Sequence, residues 1–208
     1  MADNRQYHWE SDDIIHRPEY PAIIPWIHEG AKVIDLGCGN GSLLRLLKDK
    51  KHIDAAGVEL SDTGYEITKK HGINVKQARI DEKLEWIADN EYDIAICNVT
   101  LQMVMYPEML LAEMKRISKR QILSFPNFAF ITQRFELLFL GRMPQKLMYN
   151  YTWYSTGQIH QLSIKDFKDT VTAMGLKIVD SSYLVGRHRT IGFMPNLLAT
   201  AGIFLLEK

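Results

Sequence analysis

The 208-residue sequence is poor in cysteine and carries no net charge. Its two cysteines, Cys38 and Cys97, cannot form a disulfide scaffold, and neither belongs to a CxxC motif, so a reducing cytoplasmic location is expected. Lys and Arg together number 25 against 25 Asp and Glu, so no overall positive charge attracts nucleic acid. The longest apolar stretches, around 128–140 and 197–206, are shorter than the about 18 apolar residues that span a membrane. We therefore expect neither a nucleic-acid nor a membrane partner.

Other signals are also missing. The 7 histidines show no HxH or HExxH spacing, so no metal site is predicted. The segment 1–13 carries four acidic residues and no apolar stretch, and no secretory signal is expected. There is no internal repeat. Hydrophobic residues make up 46% of the chain, enough to fill a core without disulfides or metals.

From residue 32 the chain alternates short β-rich apolar runs with longer helical patterns, which is typical of βαβ units around a mostly parallel sheet. Strands are predicted at 33–36, 55–60, 74–80, 92–99 and 121–125. Helices are predicted at 42–50, at 61–71 with Ser61 as N-cap, near 82–88, and from Pro107.

After residue 127 the strict alternation ends. A helix is predicted at 128–140, closed by Gly141, then an aromatic loop, a helix at 164–174, and strands at 177–185 and about 200–207. We expect an α/β fold built on a single, mostly parallel sheet of about seven strands with helices on both faces. The whole chain, 1–208, is predicted to be one domain, with an N-terminal extension at 1–31 and an insertion or lid around 128–162.

The most informative segment is VIDLGCGNG, residues 33–41, in which a buried strand runs directly into glycines and then a helix. Glycines at Gly37, Gly39 and Gly41 permit a tight turn and let a ligand lie against the backbone. Such glycines are also common as plain connectors. A dinucleotide fingerprint needs a third glycine in G-x-G-x-x-G, and Ser42 stands there, so NAD is the weaker alternative.

Two carboxylates add context to this loop. Glu59 ends the second strand, 59 − 41 = 18 residues after the last glycine. This spacing is near the roughly 20 residues that separate the glycine loop from a ribose-binding acid. The alternative is that Glu59 is a solvated charge at the end of a strand. Asp35 lies inside the first strand, where an ionised side chain needs partners, which can be the loop's own amides. A carboxylate there repels a pyrophosphate and suits an ammonium and a sulfonium, which favours S-adenosylmethionine as the cofactor.

Further candidates follow the fourth and fifth strands, because open α/β sheets hold ligands at the carboxyl ends of their strands. Asn98 is a candidate to bind cofactor or substrate, and Gln102 and Asn127 to bind substrate; a turn role explains Asn98 and Asn127 equally well. The aromatic loop with Tyr154 and then His160 can form a lid, a protein interface or ordinary core. No catalytic residue is assigned.

Through VIDLGCGNG, GVEL and YDIAICNVTLQ the chain resembles the class I S-adenosylmethionine-dependent methyltransferases, with a Rossmann-like fold. Over almost its whole length, through RPEY, TLQMV, ILSFPNF, GRMP and WYSTGQIHQLSIKDF, it resembles the MetW family of methionine-biosynthesis proteins. That resemblance implies a methyltransferase-like activity on a small molecule and a link to homoserine O-acyltransferase.

The resemblance also implies roles for single residues. Asp35 and the three loop glycines, with Cys38 between them, face the methionine part of the cofactor, and Glu59, followed by Leu60, faces its ribose. Relatives carry a Gln-Gly-Asp stretch that binds the adenine amine, whereas this chain reads Gln77-Ala78-Arg79. Asp81 is the candidate replacement, and Ile80 is placed to pack on the purine.

Two functions therefore stand side by side. One is an enzyme that transfers a methyl group from S-adenosylmethionine to a small molecule, motivated by the glycine loop with Asp35 and Glu59. The other is a non-catalytic accessory that binds homoserine O-acyltransferase and supports its activity. It draws on the resemblance, the aromatic loop and the apolar side chains of Phe128, Ile131, Phe135 and Leu138.

Overall fold

Strands from both ends of the chain join in one sheet. The computed structural model describes Trp9, residues 13–144, Trp153, and residues 156–186, 188–189 and 192–208. Within these residues the strands are β1 Lys32–Leu36, β2 Asp54–Glu59, β3 Asn74–Gln77, β4 Tyr92–Asn98, β5 Ser118–Pro126, β6 Lys177–Val185, β7 His188–Arg189 and β8 Ala201–Glu207. Their order across the sheet is β3-β2-β1-β4-β5-β8-β6-β7.

The first five strands of the sequence are parallel, and β8 runs antiparallel between β5 and β6. β1 pairs with β2 on one side and with β4 on the other, so the strand order reverses at β1. Ligands of open α/β sheets bind at such a point, beyond the carboxyl ends of the strands. The predicted mostly parallel sheet is confirmed, with the two-residue β7 as an eighth strand at its edge.

Helices cover both faces of the sheet. They are α1 Tyr20–Ile23, α2 Ser42–Lys51, α3 Asp62–Lys70, α4 Pro107–Ile117, α5 Ile131–Leu140, α6 Ile164–Ala173 and α7 Pro195–Leu198. Apolar side chains of α4 and α6 form a core against one face, and those of α1 and α2 form a second core against the other. The central parallel strands β1, β4 and β5 are therefore buried on both sides, which explains their apolar runs, whereas the edge strand β3 is mostly exposed.

Local signals position the helix starts. The Ser61 hydroxyl accepts a hydrogen bond from the Gly64 amide, which confirms Ser61 as the N-cap of α3. Ser163 and Asp166 form a reciprocal capping box at the start of α6. The predicted helix at 128–140 begins only at Ile131, because Pro126 and Asn127 first turn the chain away from β5.

The helix predicted near 82–88 is wrong, and the segment forms turns instead. Its backbone is held by two side chains of α4. The Glu113 carboxylate accepts a hydrogen bond from the Leu84 amide at 2.8 Å, while the Arg116 guanidinium donates to the Leu84 and Ile87 carbonyls. These charged hydrogen bonds replace the bonds that a helix would have made within itself.

The predicted N-terminal extension contributes to the core. Tyr20 and Ile23 of α1, and Ile27 beyond it, are buried in the cluster shared with α2. In the part of the chain that the structure describes, no helix has the length and apolar character needed to cross a membrane.

Candidate functional site

The loop between β1 and α2 forms the floor of the site. Gly37, Gly39 and Gly41 all have positive φ angles, of 85°, 60° and 72°. A Cβ on Gly37 would lie 2.8 Å from Thr100 Cγ2, so only glycine fits beside the loop that follows β4. The amides of Gly37 and Cys38 both donate to the Val58 carbonyl of β2, which fixes the loop above the sheet.

Asp35 lies just before this loop and is 2% exposed. Its Oδ1 is buried and has no hydrogen-bond partner among the described residues. Burial, reinforced by the nearby charge of Glu59 and opposed by that of Arg17, raises its pKa to about 7. A buried carboxyl oxygen without a partner is costly, and a cationic ligand group would stabilise its ionised form.

Glu59, at the end of β2, links the loop to α3. Its Oε2 accepts a hydrogen bond from the Gly39 amide at 2.7 Å, and its Oε1 accepts one from the Ser61 amide at 2.8 Å. Burial raises the pKa of this carboxyl, and the two amide hydrogen bonds oppose that shift. Because a carboxylate has about four acceptor positions, Glu59 keeps acceptor capacity for a ligand's hydroxyl groups.

An N-terminal segment covers the loop from above, which the sequence reasoning missed. A Cβ on Gly39 would lie 2.4 Å from Trp9 Cζ2, so the indole packs directly on this glycine. The Trp9 amide donates to Thr63 Oγ1, and the Ile15 amide donates to Ser42 Oγ. The indole Nε1 is buried and unpartnered within the described residues. No local pattern in the sequence signals a role for a single tryptophan before the first strand.

Cys38 points toward β2, because a Cβ on Gly57 would lie 2.7 Å from its Sγ. Burial raises the pKa of the thiol well above its ordinary value, so it is a packing residue with no thiolate chemistry. The side chain of Leu60, 43% exposed, lies beyond Glu59 and is open to a ligand.

Asp81, the predicted partner of the adenine amine, makes most of its hydrogen bonds within the protein. Arg79 donates to both oxygens of Asp81, and Asp81 Oδ2 also accepts from the amides of Met105 and Tyr106. Asp81 therefore braces the loop after β4, and only Oδ1 keeps room for a further donor. Ile80 is 7% exposed and belongs to the core.

The loop after β4 is strained. Val99 has a φ of 56°, a left-handed conformation that is costly for a β-branched residue, by about 1–3 kcal/mol. Ser124 donates to Asn98 Oδ1 at 2.6 Å, which leaves the Asn98 amide nitrogen for other contacts. Gln102 is 1% exposed, and its side chain donates to the Val99 carbonyl, which helps to hold the strained turn.

Asn127 has a structural role. Its side-chain nitrogen donates to the carbonyls of Asn196 and Ala199, and its side-chain oxygen accepts from the amides of Ala129 and Ile164. All four hydrogen-bonding positions of this amide are used, so none is left for a substrate.

The predicted lid lies only partly within the described residues. Tyr154 lies outside them. The amides of Ile159 and His160 both donate to the Gln102 carbonyl, at 2.9 and 3.1 Å, which places His160 beside the loop after β4. No group of three or more His, Cys, Asp or Glu side chains within the described parts of the chain could hold a metal ion.

Solved structures share this architecture. A possible histamine N-methyltransferase from Thermotoga maritima superposes with a TM-score of 0.67 at 17% identity, over 91% of this chain and 87% of that one. The magnesium protoporphyrin IX methyltransferase of Synechocystis, solved with bound S-adenosylmethionine, gives 0.59 at 14%, over 91% and 77%. The chain therefore has the Rossmann-like fold of the S-adenosylmethionine-dependent methyltransferases.

Sequence comparison is more specific. Residues 17–206 match the family described as Methionine biosynthesis protein MetW, and the chain belongs to that family. It is 31% identical over 175 residues to the Bifunctional methionine biosynthesis protein MetXA/MetW of Rhodopirellula baltica, covering 80% of this chain and 28% of that protein. The chain spans less than half the length of the curated relatives it matches. It is thus a member of a family described by its role in methionine biosynthesis, with the fold of the S-adenosylmethionine-dependent methyltransferases.

Proposed function

We propose that the chain binds S-adenosylmethionine on the glycine loop and transfers its methyl group to a small molecule. The observation that carries this proposal is the buried Asp35 carboxyl, whose Oδ1 is unpartnered within the described residues, beside a loop whose three glycines all have positive φ. The Asp35 carboxyl fits S-adenosylmethionine, because the amino-acid part of this cofactor carries an ammonium group near a sulfonium. Both positive charges are stabilised by an adjacent carboxylate.

Glu59 and Asp35 divide the binding between them. Glu59 is fixed by the amides of Gly39 and Ser61, so its free acceptor positions are held ready for the ribose hydroxyl groups. Leu60 is exposed where an adenine would follow the ribose, and the remaining acceptor position of Asp81 is the candidate for the adenine amine.

When bound, S-adenosylmethionine supplies an electrophilic methyl group on a sulfonium, so the protein's task is alignment. The segment that includes His160 lies against the Gln102 carbonyl, beside the carboxyl ends of β4 and β5. We propose that this segment and the side-chain amide nitrogen of Asn98 position the molecule that accepts the methyl group. Trp9, which packs on Gly39, keeps water away from the loop.

Isothermal titration with S-adenosylmethionine and S-adenosylhomocysteine tests the proposal. Wild-type protein is expected to bind both, and Glu59→Gln is expected to weaken both, because an amide cannot accept from the ribose as a carboxylate does. Glu66→Gln, on the exposed side of α3, is the matched control and is expected to bind as the wild type does. No heat of binding at millimolar ligand would refute the proposal.

A second function, support of a homoserine O-acyltransferase, is favoured by a specific surface. The side chains of Phe135, Leu138 and Phe139 on α5 are 52%, 76% and 68% exposed, and the two phenylalanine rings stack with centroids 5.3 Å apart. Contiguous exposed apolar side chains of this kind mark protein contacts. In the relative from Rhodopirellula baltica, the MetW-like part occurs in one bifunctional protein named MetXA/MetW.

Co-expression with a homoserine O-acyltransferase tests this second function. The complex is expected to form with the wild type and to be lost with Leu138→Glu, because a charge in the apolar contact stays desolvated and unpaired. Val179→Glu on β6 replaces a side chain that is 44% exposed elsewhere and is expected to leave the complex intact. Equal capture of both variants, or an unchanged acyltransferase activity, would count against this function.

A further inference from the structure

The segment before β1 brings a cation to the proposed cofactor site. The side-chain amide of Asn40, in the glycine loop, donates to the Asp13 carbonyl at 3.2 Å, and the Ile15 amide donates to Ser42 Oγ at 2.9 Å. These two hydrogen bonds fix the segment along the end of the glycine loop. Arg17 follows two residues after Ile15, just before α1 begins.

Asp35 points toward the face of the sheet that α1 covers. Successive side chains of a strand alternate between its two faces, so Asp35 shares a face with Val33 of β1. Val33 is buried in the core cluster that includes Tyr20 of α1, whereas Ile34 and Leu36 belong to the cluster on the opposite face. The Asp35 carboxyl is therefore directed toward the side of the sheet from which Arg17 and α1 approach.

The Arg17 guanidinium lies between α1 and Asp35. Its positive charge acts on the carboxyl of Glu19, the hydroxyl of Tyr20 and the carboxyl of Asp35. Burial raises the pKa of each of these three groups, and the charge of Arg17 opposes each shift. Arg17 and Asp35, which the structure both describes, form no salt bridge with each other, so the two opposite charges attract each other without touching.

This pair of charges matches the two charges of an α-amino acid. The amino-acid part of S-adenosylmethionine carries an ammonium and a carboxylate on one carbon, and the carboxyls of Asp35 and Glu59 alone would repel that carboxylate. Arg17 supplies the compensating positive charge on the Asp35 side of the site. A guanidinium suits this role, because its planar fork can donate two parallel hydrogen bonds to a carboxylate. Arg79, on the adenine side, is already paired with Asp81.

We propose that Arg17 binds the carboxylate of S-adenosylmethionine while Asp35 binds its ammonium group, so that the site selects a cofactor with an intact α-amino acid end. This inference rests on the proposed binding of S-adenosylmethionine and adds the residue that determines which adenosyl sulfonium compound the site accepts. A ligand that keeps the ammonium and lacks the carboxylate leaves Arg17 unpaired and places a second cation beside it, which disfavours that ligand.

Decarboxylated S-adenosylmethionine is the probe, because it keeps the sulfonium and the ammonium and lacks only the carboxylate. In isothermal titration the wild type is expected to bind S-adenosylmethionine roughly tenfold or more tightly than the probe. Arg17→Gln is expected to weaken the binding of S-adenosylmethionine by a similar factor and to bind the probe no more weakly than the wild type does. Arg17→Lys is expected to restore part of the preference, because lysine keeps the charge without the planar fork.

Controls separate this inference from a structural role of Arg17 and from the proposed function. Lys50→Gln, on the exposed side of α2, removes the same charge elsewhere and is expected to keep the wild-type preference. Arg17→Met replaces Arg17→Gln if the glutamine variant does not fold, and the comparison of the two ligands on the wild type needs no variant. Equal affinity of the wild type for both ligands, or an equal loss for both in Arg17→Gln, overturns the inference. A wild type that binds neither ligand refutes the proposed function instead.

Discussion

Replacing Asp35 with asparagine is expected to stabilise the ligand-free protein above neutral pH. The buried carboxyl has its pKa raised from 3.8 to about 7, chiefly by burial and next by the charge of Glu59. A folded-state pKa above the unfolded one means that the folded protein binds the proton more tightly. Stability from this group is therefore complete below pH 3.8 and is lost as the pH rises toward 7.

The magnitude follows from the shift. About three pKa units at 1.36 kcal/mol each correspond to a loss of up to about 4 kcal/mol above pH 7. Asparagine has nearly the same shape and no charge to desolvate, so it avoids that loss. In a chain of this size, about 4 kcal/mol corresponds to a Tm roughly 10 °C higher.

Thermal unfolding followed by circular dichroism between pH 4 and pH 8 measures the effect. The Tm of Asp35→Asn minus that of the wild type is expected to be near zero at pH 4 and to grow until about pH 7. Asp54→Asn, at the exposed start of β2, is the control and is expected to show no such rise. A constant difference at every pH, or an Asp35→Asn variant that is less stable at pH 8, would refute the reasoning.

Three further outcomes are expected. Affinity for S-adenosylmethionine, measured by calorimetry, should tighten about tenfold from pH 6 to pH 8 as Asp35 ionises, and be flat in Asp35→Asn. In denaturant unfolding, Gly39→Ala should lower the free energy of unfolding by about 1–3 kcal/mol more than Gly72→Ala does. Both glycines have positive φ, but only a Cβ on Gly39 would meet Trp9. Equal losses of stability would refute that contact. Arg116→Leu should cost about 3 kcal/mol by unpairing Glu113 without changing cofactor affinity, and a loss of affinity would contradict this brace role.

Local sequence patterns were sufficient to predict the parallel strands of the sheet and the glycine loop that forms the floor of the site. Strand-length apolar runs predicted the parallel strands, and the spacing from Gly41 to Glu59 placed a carboxylate beside the glycine loop. Both features depend on residues close in sequence or on the general rule that parallel strands end at one edge.

These local patterns could not predict contacts between residues that lie far apart in the sequence. The segment around Leu84 has helical composition, but Glu113 and Arg116, about thirty residues further along the chain, take over its backbone hydrogen bonds. Trp9 covers Gly39 across a similar separation, and no periodicity marks it. Gln133 is one of four polar residues of α5, and its burial depends on the tertiary fold and has no local signal.

A crystal structure with S-adenosylhomocysteine, grown at pH 8, tests the cofactor site most directly. The amino group of the ligand is expected within hydrogen-bonding distance of Asp35 Oδ1, with both ribose hydroxyls on Glu59 and the adenine beside Leu60. Crystals in which the ligand is absent at saturating concentration, or lies away from both carboxylates, would contradict the account.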